Sequence, residues 1–236
     1  MEQIVPACIE QEAIVNPNES HTGMTTKHQY LDKYPISPDS EILIVGTIHP
    51  HNHHDFVIPF FYGNKLSLWT ILSDAFPDDL KKPISLEGVL SFLKRRKISV
   101  SDTIRECQRK NPTALDKDLI PVQLNEQLID QIRNSNINLI LLTSGFQKNN
   151  AFRLFYADIL GQRITPEIRK TKEVTLHQSI FGREVRLNIL YSPSGSSNVP
   201  LSTSNIYLEN KDRFKDSPHP VYDFKVEYYR ERFSSI

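Results

Sequence analysis

The stretch Ile42-Leu43-Ile44-Val45-Gly46 is short, wholly apolar, rich in β-branched side chains and closed by a glycine. Such a run is typical of a parallel strand buried on both faces. Two further runs predict strands of the same kind: Leu139 to Thr143, which ends at Ser144-Gly145, and Val185 to Tyr191, in which apolar residues alternate. A polar loop of small residues follows each of the three predicted strands.

Two segments between these strands have the spacing of amphipathic helices. One face of the first helix carries Leu68, Trp69, Leu72 and Phe76, and one face of the second carries Leu124, Leu128, Ile129 and Ile132. Strands that alternate with helices indicate an α/β fold. Ligands of such folds bind beyond the carboxyl ends of the strands. We therefore expect the functional site in the loops 46–55, 144–150 and 192–198.

The size and composition of the chain indicate one ordinary globular domain. The 236 residues are 39% hydrophobic and 24% charged, with 28 basic residues balancing 28 acidic ones. These totals exclude disorder throughout and a uniformly basic coat for nucleic acid, but they permit a local basic patch. Residues 1–26 are polar and acidic, and we interpret them as a partly disordered extension of a single domain at 27–236.

The cysteines and the amino terminus predict the compartment. Cys8 and Cys107 lie far apart and form no CxxC pair, which argues against a disulfide scaffold or a cysteine zinc site. The first residues lack the pattern of an export signal, and no run approaches the roughly 18 apolar residues of a membrane helix. We expect a cytoplasmic monomer that does not associate with a membrane.

The loop after the first predicted strand contains four of the eight histidines, His49, His51, His53 and His54, within six residues. One hypothesis is a metal-dependent hydrolase, since His49-x-His51 followed by Asp55 has the spacing of metal ligands. Against it, a catalytic metal draws ligands from several strand ends, and few distant histidines follow the loop. The other interpretation is a polar, solvated loop, and we predict no metal and no organic cofactor.

Three motifs, taken in order, resemble the uracil-DNA glycosylase superfamily. They are Gly46-Thr47-Ile48-His49-Pro50, then the segment from Phe60-Phe61-Tyr62 to Leu68-Trp69, then Ser192-Pro193-Ser194-Gly195-Ser196-Ser197. The sequence is most similar to the mismatch-specific uracil/thymine-DNA glycosylases and to the hypoxanthine-DNA glycosylase branch. The similarity spans residues 34–214. It implies a three-layer α/β/α domain around a short, mainly parallel sheet of about four strands.

The resemblance also implies an activity, the hydrolytic removal of a deaminated or mismatched base from DNA. The catalytic asparagines of those families are absent, because His49 and Ser67 stand at their places. In this interpretation His49 positions the attacking water, with Asn52 or Asp55 assisting, and Ser67 contacts the base or sugar. The base, flipped out of the stack, is held by aromatic stacking and by hydrogen bonds to its edge.

The implied binding residues are aromatic or small. Either Phe61 or Tyr62 stacks on the base, while Thr47, Pro50 and Ser144 line the pocket. The serine-rich loop, with Ser192, Ser194, Gly195 and Ser196, holds the DNA backbone. A plain turn is the alternative for that loop. Two basic clusters are candidates for phosphate contacts, Lys94-Arg95-Arg96-Lys97 and Arg169-Lys170-x-Lys172. A catalytically inactive binder of nucleic acid or nucleotides remains an alternative function.

Overall fold

The computed structural model describes residues 23–111 and 115–234, so most of the predicted extension lies outside the described residues. The strands are β1 Met24–Lys27, β2 Ile42–Gly46, β3 Ile98–Asp102, β4 Ile104–Arg109, β5 Leu119–Leu124, β6 Leu139–Leu142, β7 Glu173–Leu176 and β8 Val185–Ile189. The helices are α1 Ser67–Ala75, α2 Leu86–Arg95, α3 Gln127–Arg133, α4 Pro166–Thr171, α5 Gln178–Phe181, α6 Asn198–Ser202, α7 Asn205–Asn210 and α8 Pro220–Ser234, with a π-helical segment at Arg153–Ile159. None of the described helices is long and apolar enough to cross a membrane.

The main sheet has five strands in the order β3-β2-β6-β8-β7. The first four are parallel, and β7 pairs antiparallel with β8 at the edge. The three predicted strands are confirmed as β2, β6 and β8, although β6 and β8 end one and two residues earlier than predicted. The predicted number of about four strands was too low, because β3 alternates apolar residues with serine and β7 is short and polar.

Helices cover both faces of this sheet. Ile42 and Ile44 of β2 pack with α1, α2 and α8, whereas Leu43 and Val45 pack with α3 to α5 on the other face. All five residues of β2 are buried, as the apolar run predicts. The α/β class is therefore confirmed, with a mixed, mainly parallel sheet. Of the predicted helices, α1 agrees with its pattern, but Leu124 ends a strand and α3 begins after it.

A second, antiparallel sheet with the order β1-β4-β5 was not predicted. Its strand β1 includes residues 24–26, which we had assigned to the extension, and it pairs with β4 over four residues. One residue, Thr103, separates β3 from β4, and its N–H donates to the carbonyl of Gly46 at 3.0 Å. The small sheet therefore starts at the carboxyl edge of the main sheet and forms a wall beside it.

Candidate functional site

A cavity of about 710 Å³ opens at the carboxyl ends of the parallel strands, where the sequence predicted the site. This volume lies within the usual range for small-molecule sites. Ten predicted residues line it: Thr47, His49, Pro50, Tyr62, Ser67, Ser144, Ser192, Ser194, Gly195 and Ser196. The three predicted loops therefore meet at one place. The connection between β4 and β5 of the small sheet closes the fourth side with Leu115 and Asp116.

Three predicted residues are not among those that line this cavity in the described structure. Phe61 is 1% exposed and belongs to the hydrophobic core, where its carbonyl accepts a hydrogen bond from Trp69 Nε1 at 2.8 Å. Of the two aromatic candidates for stacking, Tyr62 is therefore the one that faces the cavity. Asn52 and Asp55 lie on the exposed turn around a short 3-10 helix. Their position gives no support to the prediction that they assist a water at His49.

The imidazole of His49 is held by backbone groups through both ring nitrogens. The N–H of Gln29 donates to Nε2 at 3.0 Å, so Nδ1 carries the proton and donates to the carbonyl of Pro50 at 2.7 Å. The side chain is buried, and this burial lowers the pKa of His49 from 6.5 to about 3. A neutral ring with both nitrogens occupied is suited to fixing the loop, which differs from the predicted role of positioning water.

Two of the other histidines of the loop, His51 and His53, bond within the loop or to β1. His51 Nδ1 is 3.0 Å from the hydroxyl of Thr26, and His53 Nδ1 is 3.2 Å from the carbonyl of His51. Within 23–111 and 115–234, no group of three or more His, Cys, Asp or Glu side chains is placed to hold a metal ion. The metal-dependent hydrolase therefore has no ligand set in the described part of the chain.

Tyr62 places its phenol group at the floor of the cavity. Its backbone has the left-handed φ of 56° on a residue that is not glycine, which turns the ring inward. The phenol oxygen lies 2.9 Å from the hydroxyl of Thr143, at the end of β6. Burial raises the pKa of this phenol, so it stays protonated. The ring and its hydroxyl thus form a fixed platform between β2 and β6.

Asp102 lies beneath this platform. It pairs in register with Gly46 because β3 runs parallel to β2, and its carboxylate is 2.8 Å from Nε2 of His28. The N–H groups of Tyr30 and Leu31 donate to Nδ1 of the same imidazole, at 3.0 and 3.3 Å. His28 must therefore donate from Nε2 to the carboxylate. Burial raises the pKa of Asp102, and the hydrogen bond from His28 opposes that rise.

A second carboxylate, Asp116, enters the cavity from the connection between β4 and β5. The hydroxyl of Thr47 donates to its Oδ1 at 2.9 Å. Asn149 stabilises the connection, since its Nδ2 donates to the carbonyls of Asp116 and Leu119 at 2.9 and 2.7 Å. Burial raises the pKa of Asp116 to about 6, and the nearby Asp102 adds to the rise. Two carboxylates of raised pKa therefore face one pocket.

The serine-rich loop is supported from below by Lys225, on α8. The side chain is buried, and Nζ donates to the carbonyls of Ser192 and Ser194 at 3.3 and 3.2 Å and to the hydroxyl of Ser197 at 2.7 Å. Burial lowers the pKa of Lys225 to about 8. The buried ammonium group thus holds three oxygens of the serine-rich loop.

Sequence reasoning missed several polar residues of the cavity. Asn64, Lys65, Asp102, Asp116 and Thr143 all line it. Asp102 and Thr143 directly end the runs that become β3 and β6, so the alternation of Ile98 and Val100 with serine was the available signal. Asp116 had no such signal, because it follows a polar segment and reaches the site through the pairing of β4 with β5.

The two basic clusters lie at different edges of the sheet. Lys97 directly precedes β3, whose first residue pairs with the first residue of β2, so residues 94–97 lie at the amino edge, away from the cavity. Arg96 pairs with Asp79 at 2.7 Å and packs over the ring of Phe76. The carbonyl of Lys172, in contrast, accepts from the N–H of Ile189 at 2.9 Å, at the carboxyl end of β8. Because residues 94–97 lie at the edge opposite the cavity, they are poorly placed to contact the phosphates of a nucleotide bound there.

Comparison with known proteins gives little beyond this geometry. Neither a protein-family model nor a curated protein sequence matches the chain. Among solved structures, it is similar to the solution NMR structure of "a putative Uracil DNA glycosylase from Methanosarcina acetivorans". The identity is 18%, the TM-score is 0.43, and the match covers 89% of this chain and 99% of that one. So distant a likeness carries no argument about the fold or about the chemistry of the cavity.

Proposed function

We propose that the protein is a DNA glycosylase-like hydrolase that removes a deaminated or mismatched base by hydrolysis of its N-glycosidic bond. The observation that carries the proposal is the convergence of the three motifs that resemble those of the uracil-DNA glycosylases on one cavity. A pocket at this edge of an α/β sheet, with an aromatic ring, buried carboxylates and a serine-rich rim, suits a flipped nucleotide.

The floor of the cavity offers what the base requires. The ring of Tyr62 supplies a flat face for stacking, and its position is fixed by the contact with Thr143. The side chains of Asn64 and Ser67 line the cavity beside it and can reach the edge of a base. Hydrogen bonds to that edge are the means by which such enzymes tell one base from another.

The carboxylates suit the charge that develops in the reaction. Breaking an N-glycosidic bond leaves positive charge on the sugar, and negative groups fixed nearby stabilise that charge. Asp102, bonded to His28, and Asp116, bonded to Thr47, provide two such groups in a partly desolvated pocket. This arrangement replaces the catalytic amides of the families that the sequence resembles.

The carboxyl edge also carries cations that can contact phosphates, of which Lys65 and Lys148 are exposed and Lys172 is half-buried over the ring of Tyr191. Lys65 lines the cavity, Lys148 lies on the loop after β6, and Lys172 lies beside the end of β8. Lysine side chains that neutralise phosphates supply most of the affinity of proteins for DNA without sequence preference. The small side chains of Ser194, Gly195 and Ser196 let a strand approach the rim closely.

An oligonucleotide assay tests the proposal. Duplex and single-stranded oligonucleotides that carry uracil, hypoxanthine, xanthine or mismatched thymine are incubated with the protein, and alkali then cleaves any abasic sites. We expect strand cleavage at one of these bases. Ser67→Leu, which places bulk inside the cavity, should abolish it, whereas Ser91→Leu, on the exposed face of α2, should not. Salt-dependent binding without base release would instead identify an inactive nucleic-acid binder.

A further inference from the structure

The carboxylate of Asp116 is a hydrogen-bond acceptor shared by the walls of the cavity. Thr47, which follows β2, donates to Oδ1 at 2.9 Å. Ser144, which follows β6, also donates to the carboxylate, since its oxygen already accepts from the N–H of Ala151 at 2.8 Å. With the Asn150 amide oriented to satisfy both of its polar atoms, its nitrogen donates to Oδ2 at 3.2 Å.

These bonds fix a carboxylate that lines the cavity. Asp116 is half-buried, whereas Asp102 is 5% exposed and covered by Tyr62 and His28. Water can therefore reach Asp116 more easily than Asp102. The other charged groups that act on Asp116 are Asp102 from β3, which opposes its ionisation, and Arg109 from β4, which favours it.

We propose that Asp116 is the catalytic residue that binds the attacking water and accepts its proton. This inference rests on the proposed function and assigns its base. In the step, the water oxygen bonds to the sugar C1′ as the bond from C1′ to the base nitrogen breaks, and that electron pair leaves with the base. One water proton passes to the Asp116 carboxylate, and the departing base takes up a proton from solvent or from the acid so formed. The products are the free base and the abasic sugar.

The role of Asp102 is then electrostatic. The hydrogen bond that His28 donates favours the ionised form of Asp102 against the effect of burial, and the negative charge of that form stabilises the cationic sugar. Burial raises the pKa of Asp116 to about 6, and the charge of Asp102 adds to this rise. A general base works best when its pKa lies near the working pH. Asp102 therefore stabilises the positive charge, and Asp116 accepts the proton.

Single-turnover excision measured from pH 4.5 to 8.5 tests this assignment. The wild type should lose activity about tenfold per pH unit below about 6. Asp116→Asn keeps the shape of the side chain but cannot take a proton, and it should lower the rate by roughly 10²-fold or more and abolish this acid limb. Asp130→Asn, on the exposed face of α3, is the matched control and should keep both.

A second variant, Thr47→Val, tests the assignment even if Asp116→Asn does not fold. Thr47→Val removes one hydrogen-bond donor to the ionised carboxylate, so the acid limb should move to higher pH, a change that a purely structural role would not produce. If the wild type excises a base while Asp116→Asn keeps its rate and acid limb, or Thr47→Val leaves the limb in place, the assignment of Asp116 is overturned and the proposed function stands. If the wild type releases no base, both are overturned.

Discussion

The phenol oxygen of Tyr62 occupies the space beside Gly46 in which a side chain would lie, since a Cβ built there would be 2.3 Å from it. The same Cβ would lie 2.4 Å from Oδ1 of Asp102. The glycine that ends β2 therefore lets the aromatic platform and the buried carboxylate meet at the floor of the cavity. The chain can build this floor only where a parallel strand ends without a side chain.

Gly46→Ala should lower the free energy of unfolding by roughly 1–3 kcal/mol, the usual cost of overpacking, and should displace Tyr62 or Asp102 from the cavity. Urea unfolding measures the first effect, and the tyrosine near-ultraviolet spectrum reports the second. Gly195→Ala is the matched control for stability, because a Cβ at that position meets no heavy atom within 4 Å. Equal midpoints for both variants and the wild type would contradict the close approach.

His49→Leu should reduce stability at pH 7, by roughly 2 kcal/mol or more, because the N–H of Gln29 and the carbonyl of Pro50 lose their buried partner. The pKa of His49 is lower in the fold, at about 3, than in the unfolded chain. The stability that the neutral ring provides is therefore complete above pH 6.5 and is lost as the pH falls towards 3. The difference between wild type and variant should shrink accordingly.

Denaturant unfolding from pH 4 to 7 measures this difference, with His54→Leu as the matched control, since His54 is exposed. If the His49→Leu variant kept wild-type stability but lost base excision, the result would support the predicted role of His49 in positioning water. A difference that grows as the pH falls would contradict the buried, neutral state of the imidazole.

The fold and the site differ in how much the sequence predicts. The run Ile42–Val45 predicts β2 because residues buried on both faces must all be apolar, and the loops after β2, β6 and β8 follow from that parallel sheet. The small sheet escaped prediction because β4 presents Arg105, Glu106 and Gln108 among its six residues. Polar strands of this kind are specified by their pairing partners, which no local pattern reveals.

The sequence failed to predict the two carboxylates of the site for the same reason. Asp102 reaches the cavity through its register with Gly46, and Asp116 through the pairing of β4 with β5. Asp102 lies 56 residues from Gly46 in the chain, and Asp116 lies 69 residues from Thr47, to which it bonds. The motif residue His49, in contrast, was found from its position, but its function depends on two backbone contacts that its position in the motif does not disclose.

The salt dependence of DNA binding should separate the two edges of the sheet. Replacing Lys65, Lys148 and Lys172 together with alanine should reduce the slope of log affinity against log salt by up to about 2.7 on duplex DNA, at about 0.9 for each phosphate contact. The matched control replaces Lys94, Arg95 and Lys97, which lie at the amino edge and should leave the slope unchanged. The reverse result, measured by fluorescence anisotropy, would place the DNA on the opposite edge.

Lys225 gives the last prediction, because a buried cation that binds three oxygens of the serine-rich loop opposes folding while it orders the site. The pKa of Lys225 is about 8 in the fold, below the 10.5 of an exposed lysine. Between these two pH values the unfolded chain binds more protons than the folded chain, so stability should rise with pH across that interval.

Lys225→Met keeps the apolar stem without the charge. It should leave the unfolding free energy at pH 7 unchanged or higher, remove this rise, and weaken binding of a base-containing oligonucleotide severalfold as the loop loosens. Lys215→Met, at an exposed site, should show none of these effects. A marked loss of stability at pH 7 without any change in oligonucleotide binding would show that Lys225 supports the core and has no role in ordering the loop.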